Sequence, residues 1–246
     1  MKINIKQVLS EAVNLCIHHY KRVLIVSLIL FVYSIFSIVL NEAFNIKNTN
    51  SFIYVGLAAV YILLVITIVF LPIFHMAALK LINSFIDNAS ISLKEAYIQT
   101  RGKYGSYIGC GLLMGLIYIP VTILIYALKA PIPTILQYIY YAFSMSIFYL
   151  VMPMIALEPK TSHYIKKSVS LLKGNYLTAL VLTLIISTFP NIIKQAGRYL
   201  IQDKFLLQAF NTIFTALNSC LLVLSYVVNV IVYRQLNKKA LTQWRE

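Results

Sequence analysis

The chain has 246 residues, 60% of them apolar and 11% charged, with a mean hydropathy of +0.81. A soluble domain carries about a quarter charged residues, so composition excludes one, and the length suits a single polytopic membrane domain. The 21 Lys and Arg against 7 Asp and Glu give +14, but the bases are spread over loops between apolar runs, which makes anionic phospholipids and not nucleic acid the expected counter-charge.

In chain order, residues 4–20 carry Ile5, Val8, Leu9, Ala12, Val13, Cys16, Ile17 and Tyr20 at helical spacing, with Asn4 and Gln7 as a capping box. Such a helix lies in the membrane interface. Lys21 and Arg22 anchor a first span, Val23 to about Leu40, which no small-x-small cleavage site follows, so it reads as retained. A polar turn, Asn41 to Ser51, leads to a second span, Phe52 to about Phe74, with Pro72 near its end and a cytoplasmic extension from His75 to Ile86.

Ser92 and Glu95 form the next capping box, ahead of Arg101-Gly102-Lys103-Tyr104 and a third span, Tyr107 to Leu128, containing Pro120. A turn around Pro131 and Pro133 joins it to a fourth span, Thr134 to Leu157, whose Gln137–Tyr141 start reads as an interfacial aromatic belt. A third amphipathic helix, Tyr164 to Lys173, precedes a fifth span, Tyr176 to Phe189, closing at Pro190. Residues 191–208 read as an interfacial helix on the opposite side. The sixth span, Phe210 to Tyr233, is followed by a basic tail, residues 234–246.

The expected fold is therefore all-α: a polytopic protein of six transmembrane helices arranged as three pseudo-repeated hairpins, each preceded by a cytoplasmic amphipathic helix. The repeats are 4–86, 91–157 and 162–233. Leu9, Glu11, Ala12 and Tyr20 fall in register with Leu93, Glu95, Ala96 and Tyr104, and Lys173-Gly174-Asn175-Tyr176 with Arg101-Gly102-Lys103-Tyr104. Sixteen of the bases fall on the side of the termini and five on the other, which places both termini in the cytoplasm. Abundant Ile, Asn, Lys and Tyr point to an AT-rich bacterial genome, hence a bacterial plasma membrane.

Two stretches carry a family resemblance: Met152-Pro153 through Leu157-Glu158 to Ser168–Gly174, and Leu71-Pro72 leading to Leu93-Lys-Glu-Ala96. They resemble the six-span membrane domain that accompanies some bacterial glycerophosphodiester phosphodiesterases, and related stand-alone membrane proteins. The resemblance implies six helices and a bacterial membrane without implying an activity. The diesterase's catalytic residues have no positions here to be carried onto.

Three constellations are candidates for function. The basic collar of Lys21, Arg22, Arg101, Lys103, Lys166, Lys167 and Lys173 is placed to bind anionic lipid or a partner, either another membrane protein or a membrane-active peptide. Asn211, Asn218, Ser225 and Asn229 share one face of the sixth span, as interhelical hydrogen-bonding groups or as a polar groove. Gly105, Gly109, Gly111 and Gly115 let another helix approach, inside the bundle or across a homodimer seam.

No acid falls inside an expected span, and Cys16, Cys110 and Cys220 form no spaced pair, so no catalytic residue, metal or cofactor is expected. Gly102-Lys103 is not a phosphate loop, and His75 reads as an interfacial structural histidine. The function expected is that of a non-enzymatic scaffold or permease-like accessory acting on amphiphiles. Self-protection against a membrane-active peptide or toxin and small-solute transport are the alternatives.

Overall fold

The computed structural model describes residues 2–45, 71–89, 91–127, 140, 142–143, 146, 149–158 and 163–243, and every regular element among them is helical. In order these are α1 (Ile5–His18), α2 (Tyr20–Asn45), α3 (Leu71–Ile86), α4 (Leu93–Thr100), a 3-10 turn (Arg101–Lys103) and α5 (Tyr104–Ala127). There follow α6 (Val151–Leu157), α7 (Tyr164–Leu172), α8 (Tyr176–Thr183), a π-helical turn (Leu184–Thr188), α9 (Phe189–Leu200) and α10 (Lys204–Gln243). Most of the expected second and fourth spans, the turn around Pro131 and the aromatic belt apart from Tyr140 lie outside the described residues.

The core forms around α10. Its Val223, Val227, Val228, Val230, Ile231 and Val232 are buried against Val26 and Leu30 of α2 and Val8 and Ala12 of α1. The same core includes Ala78, Ile82 and Phe85 of α3, Met154 of α6 and Leu172 of α7. Among the described residues α10 has one stretch, Phe205–Lys238, long and apolar enough to cross a membrane.

Two further helix pairs reach that apolar length only together, and both are sharply bent. α1 meets Tyr20–Val32 of α2 at 95°, and α7 meets Tyr176–Ile186 at 102°. In each pair the leading helix is the amphipathic one. Asn4 caps α1 by accepting from the Gln7 amide at 3.2 Å. Ser92 and Glu95 make the full reciprocal box on α4, with the Glu95 carboxylate accepting from the Ser92 amide at 2.6 Å. Those hydrogen bonds hold the Glu95 carboxyl below the usual carboxylate range.

Several boundaries differ from the sequence reading. Pro190, expected to close the fifth span, sits in the first turn of α9, where its missing N–H costs no hydrogen bond. The expected interfacial helix 191–208 is instead α9, ending at Leu200, with residues 201–203 between it and α10. The basic tail is not a separate segment but the continuation of α10 to Gln243, held by the buried Leu236 and by Arg234 paired with Asp87. α2 runs on through Asn45, five residues into the expected polar turn. Within the expected fourth span, residues 149–150 form a turn, and Pro153 occupies the first turn of α6.

α9 folds back on α10 so closely that a Cβ on Gly197 would overlap the Phe210 ring. Phe214, its ring centroid 5.6 Å from that of Phe210, limits how far the ring can turn away. Gly197→Ala should therefore lower stability by about 1–3 kcal/mol, less the roughly 1 kcal/mol that Ala gains in helix propensity. Phe210→Leu in the same chain should restore part of the loss. Equal melting of the parent and Gly197→Ala in detergent would remove this contact from the account.

Candidate functional site

Each amphipathic helix reaches an apolar one through a tyrosine. Tyr20, Tyr104 and Tyr176 are the first residues of α2, α5 and α8. The residue just before each tyrosine makes a tie to a distant element. His19 stacks on Phe85 of α3 at 4.7 Å. Lys103 donates to the Ala156 carbonyl at 3.1 Å and to the Glu158 carbonyl. The Asn175 side chain accepts from the Ile3 amide at 3.0 Å. Glycine is needed at one corner, where Gly174 takes φ +82° so that the chain turns and the Asn175 amide can return to the Leu172 carbonyl. Burial holds the His19 imidazole below its ordinary value, helped by His18 and Arg22.

The second corner closes on Glu158, at the end of α6 and only 8% exposed. Its Oε1 accepts from Lys167 Nζ at 2.6 Å and from the Tyr233 hydroxyl at 2.8 Å, and Asn237 Nδ2 donates to that hydroxyl at 3.3 Å. Burial, followed by Lys80, lowers the Lys103 ammonium, and Glu158 opposes the shift. Sequence reasoning read Glu158 only as an acid outside the spans. The available signal was an acid placed directly after an apolar run with Lys166 and Lys167 shortly beyond.

The seven collar residues consequently separate into two groups. Lys103 and Lys167 are half-buried and turned inward to α6, and Arg22 lies over the Phe85 ring at 5.7 Å. Lys21, Arg101, Lys166 and Lys173 are exposed, Lys21 within 5.9 Å of the Tyr20 ring.

On α10 two hydroxyls are satisfied within the helix. The Thr215 hydroxyl donates to the Asn211 carbonyl at 2.6 Å, and Ser219 to the Thr215 carbonyl at 2.9 Å. Asn211, Asn218, Ser225 and Asn229 are half-buried, and Asn229 Oδ1 is enclosed with no hydrogen-bond partner among the described residues. The glycines of α5 make no close helix contact among the described residues: Gly105, Gly109 and Gly111 face open space, beside the exposed Leu112 and Leu116. The surroundings of Gly115 lie outside the described residues.

Two clefts flank α1. The first, about 560 Å³, is lined by Glu11, Asn83, Ile86, Leu157 and Ile231, together with Tyr233, Arg234, Gln235, Asn237 and Lys238 of α10. The second, about 640 Å³, follows the polar side of α1 past Glu11, Asn14, His18 and His19 to Asn88. Neither reaches Asn211, Asn218, Ser225 or Asn229. Among the described residues no three His, Cys, Asp or Glu side chains are placed to hold a metal ion.

No protein-family model, curated protein or solved structure matches the chain.

Removing the buried carboxylate leaves Lys167 and the Tyr233 hydroxyl without their charged partner. Glu158→Gln should destabilise the protein by about 1–2 kcal/mol, the cost of a lost hydrogen bond to a charged group when one partner, Lys167, keeps part of its side chain in solvent. Lys166→Gln, on the exposed side of α7, should leave the melting temperature in detergent nearly unchanged. Indistinguishable melting of the two variants would show that Glu158 does not organise the second corner.

Proposed function

We propose that the protein is a six-span integral membrane protein of three pseudo-repeated hairpins, with both termini in the cytoplasm of a bacterium. It acts without chemistry of its own, as a scaffold or permease-like accessory for amphiphilic substrates at the cytoplasmic leaflet. The kinship of its two proline-containing corners with the membrane domain of glycerophosphodiester phosphodiesterases belongs to the same proposal.

The observation that carries this reading is the pair of bends, 95° and 102°, between an amphipathic helix and the apolar helix that follows it. An amphipathic helix is stable with its apolar face in the head-group boundary, and a spanning helix stands across that plane. A right-angled corner is the geometry that joins them. The register of the repeats adds support. Ala12 and Ala96, equivalent in sequence, are both fully buried, and Ser168, in the same register of the third unit, is fully buried too. A small residue at this place lets each amphipathic helix lie close on the bundle.

In this arrangement Lys21, Arg101, Lys166 and Lys173 face the lipid head groups. Each contributes about 1 kcal/mol beside an anionic leaflet. Replacing all four by Gln should abolish most of the thermal stabilisation that phosphatidylglycerol gives the purified protein over phosphatidylcholine. Retention of the full stabilisation would reject the collar as a lipid-binding surface.

Orientation has its own check. Cysteines introduced at Asn48 and Lys129 should react with an impermeant thiol reagent added to intact cells, and one at Asn88 should not. The opposite labelling pattern would invert the topology and move the collar to the outer leaflet.

A further inference from the structure

The structure describes five acidic side chains, and four of them are engaged. Asp87 pairs with Arg234, Glu95 accepts from the Ser92 amide, Glu158 from Lys167 and Tyr233, and Asp203 from the Leu206 amide at 2.8 Å. Glu11 has no hydrogen-bond or ion-pair partner among the described residues, although it is half-buried in a chain of net charge +14. It is also the residue shared by both clefts. A carboxylate partly withdrawn from water without a counter-charge is unfavourable, so its position in a cleft needs a reason.

The rest of the first cleft's lining supplies one. Arg234 and Lys238, one turn apart on α10, line it together with the amides of Asn83, Gln235 and Asn237, above Ile86, Leu157 and Ile231. Asp87 fixes the Arg234 guanidinium from outside. The cleft thus brings together an acid from α1, two bases from α10 and apolar side chains, and its volume is that of an ordinary small-ligand site. A simple anion would be repelled by Glu11, and a simple cation by Arg234 and Lys238. A zwitterion answers both signs of charge.

We propose that this cleft binds a zwitterionic head group carrying a primary ammonium and a phosphate. Glu11 accepts from the ammonium, Arg234 and Lys238 donate to the phosphate, and the glycerol end lies against Ile86, Leu157 and Ile231. The choice of a lipid-type zwitterion rests on the amphiphile reading above. The cleft opens where the buried apolar stretch of α10 gives way to Arg234, which is head-group depth in that topology.

The test uses the full chain in nanodiscs made from equal parts phosphatidylethanolamine, phosphatidylcholine and phosphatidylglycerol, followed by extraction and mass spectrometry of retained lipid. Phosphatidylethanolamine should be enriched about tenfold over phosphatidylcholine, whose methylated nitrogen has no N–H to donate, as one hydrogen bond to a charged group provides. Glu11→Gln should bring the ratio to parity, and Lys238→Gln should reduce it several-fold. Free phosphoethanolamine added in competition separates the sources: displacement assigns binding to the head group alone, and persistence of the lipid assigns it to head group plus glycerol.

Equal retention of the three lipids by the parent chain, or a preference unchanged in Glu11→Gln, would overturn the proposal. If Glu11→Gln does not fold, the ethanolamine-to-choline ratio of the parent chain decides alone. Recovery of the protein from the aqueous fraction without detergent would instead overturn the membrane reading, an outcome distinct from lipid retained without head-group preference.

Discussion

A carboxylate enclosed at the end of a short helix sets the arrangement of everything around it. Glu158 follows α6, whose last carbonyls have no helical partners. Lys103 donates to two of these carbonyls, Ala156 and Glu158, while Lys167 and Tyr233 answer the carboxylate itself. One residue therefore fixes the second corner, α7 and α10 relative to α6. Such a buried pair adds little net stability against an apolar replacement, because desolvation offsets the Coulomb attraction. Its consequence is specificity: any packing that separates these four elements leaves a buried charge unanswered.

The corners follow a common physical plan with different chemistry. A tyrosine starts each apolar helix, where an amphipathic ring suits the boundary between apolar and wet surroundings. The residue before it is a histidine, a lysine or an asparagine, and each ties the corner to another element by stacking, by charge-assisted hydrogen bonding or by an amide contact. Two of the ties close on the end of the same sequence unit, Phe85 for the first and Ala156 with Glu158 for the second. The third reaches Ile3 at the start of the chain, so the described units are drawn together from both ends.

Much of this was legible in the sequence wherever a local signal determines the outcome. The Ser92–Glu95 capping box, the amphipathic period of α1 and α7 and the tyrosine corners all depend on residues within a few positions of one another. The Glu158 cluster was not legible, because Tyr233 lies 75 residues away and only tertiary packing brings it near. The same cause hid the helical tail: Arg234 and Lys238 read as a solvated basic run until Asp87, 147 residues before Arg234, is placed beside it. Pro190 misled for a different reason. A proline marks a helix boundary in either direction, and here it stands in the first turn of α9 and not at the end of a helix.

Divergence of the units at one register position links these points. Glu11, Glu95 and Lys167 are equivalent under the offsets that align the corners. Glu95 is consumed by its own helix cap, and Lys167 has the opposite charge and serves Glu158. Of the three, only Glu11 is an acid without a structural partner among the described residues. In a chain with three times as many bases as acids, pairing Glu11 would have needed nothing more than one of the many lysines at the neighbouring position. A carboxylate left open between two clefts, one of them shared with the bases of α10, is therefore better explained by what the cleft holds than by what the fold requires.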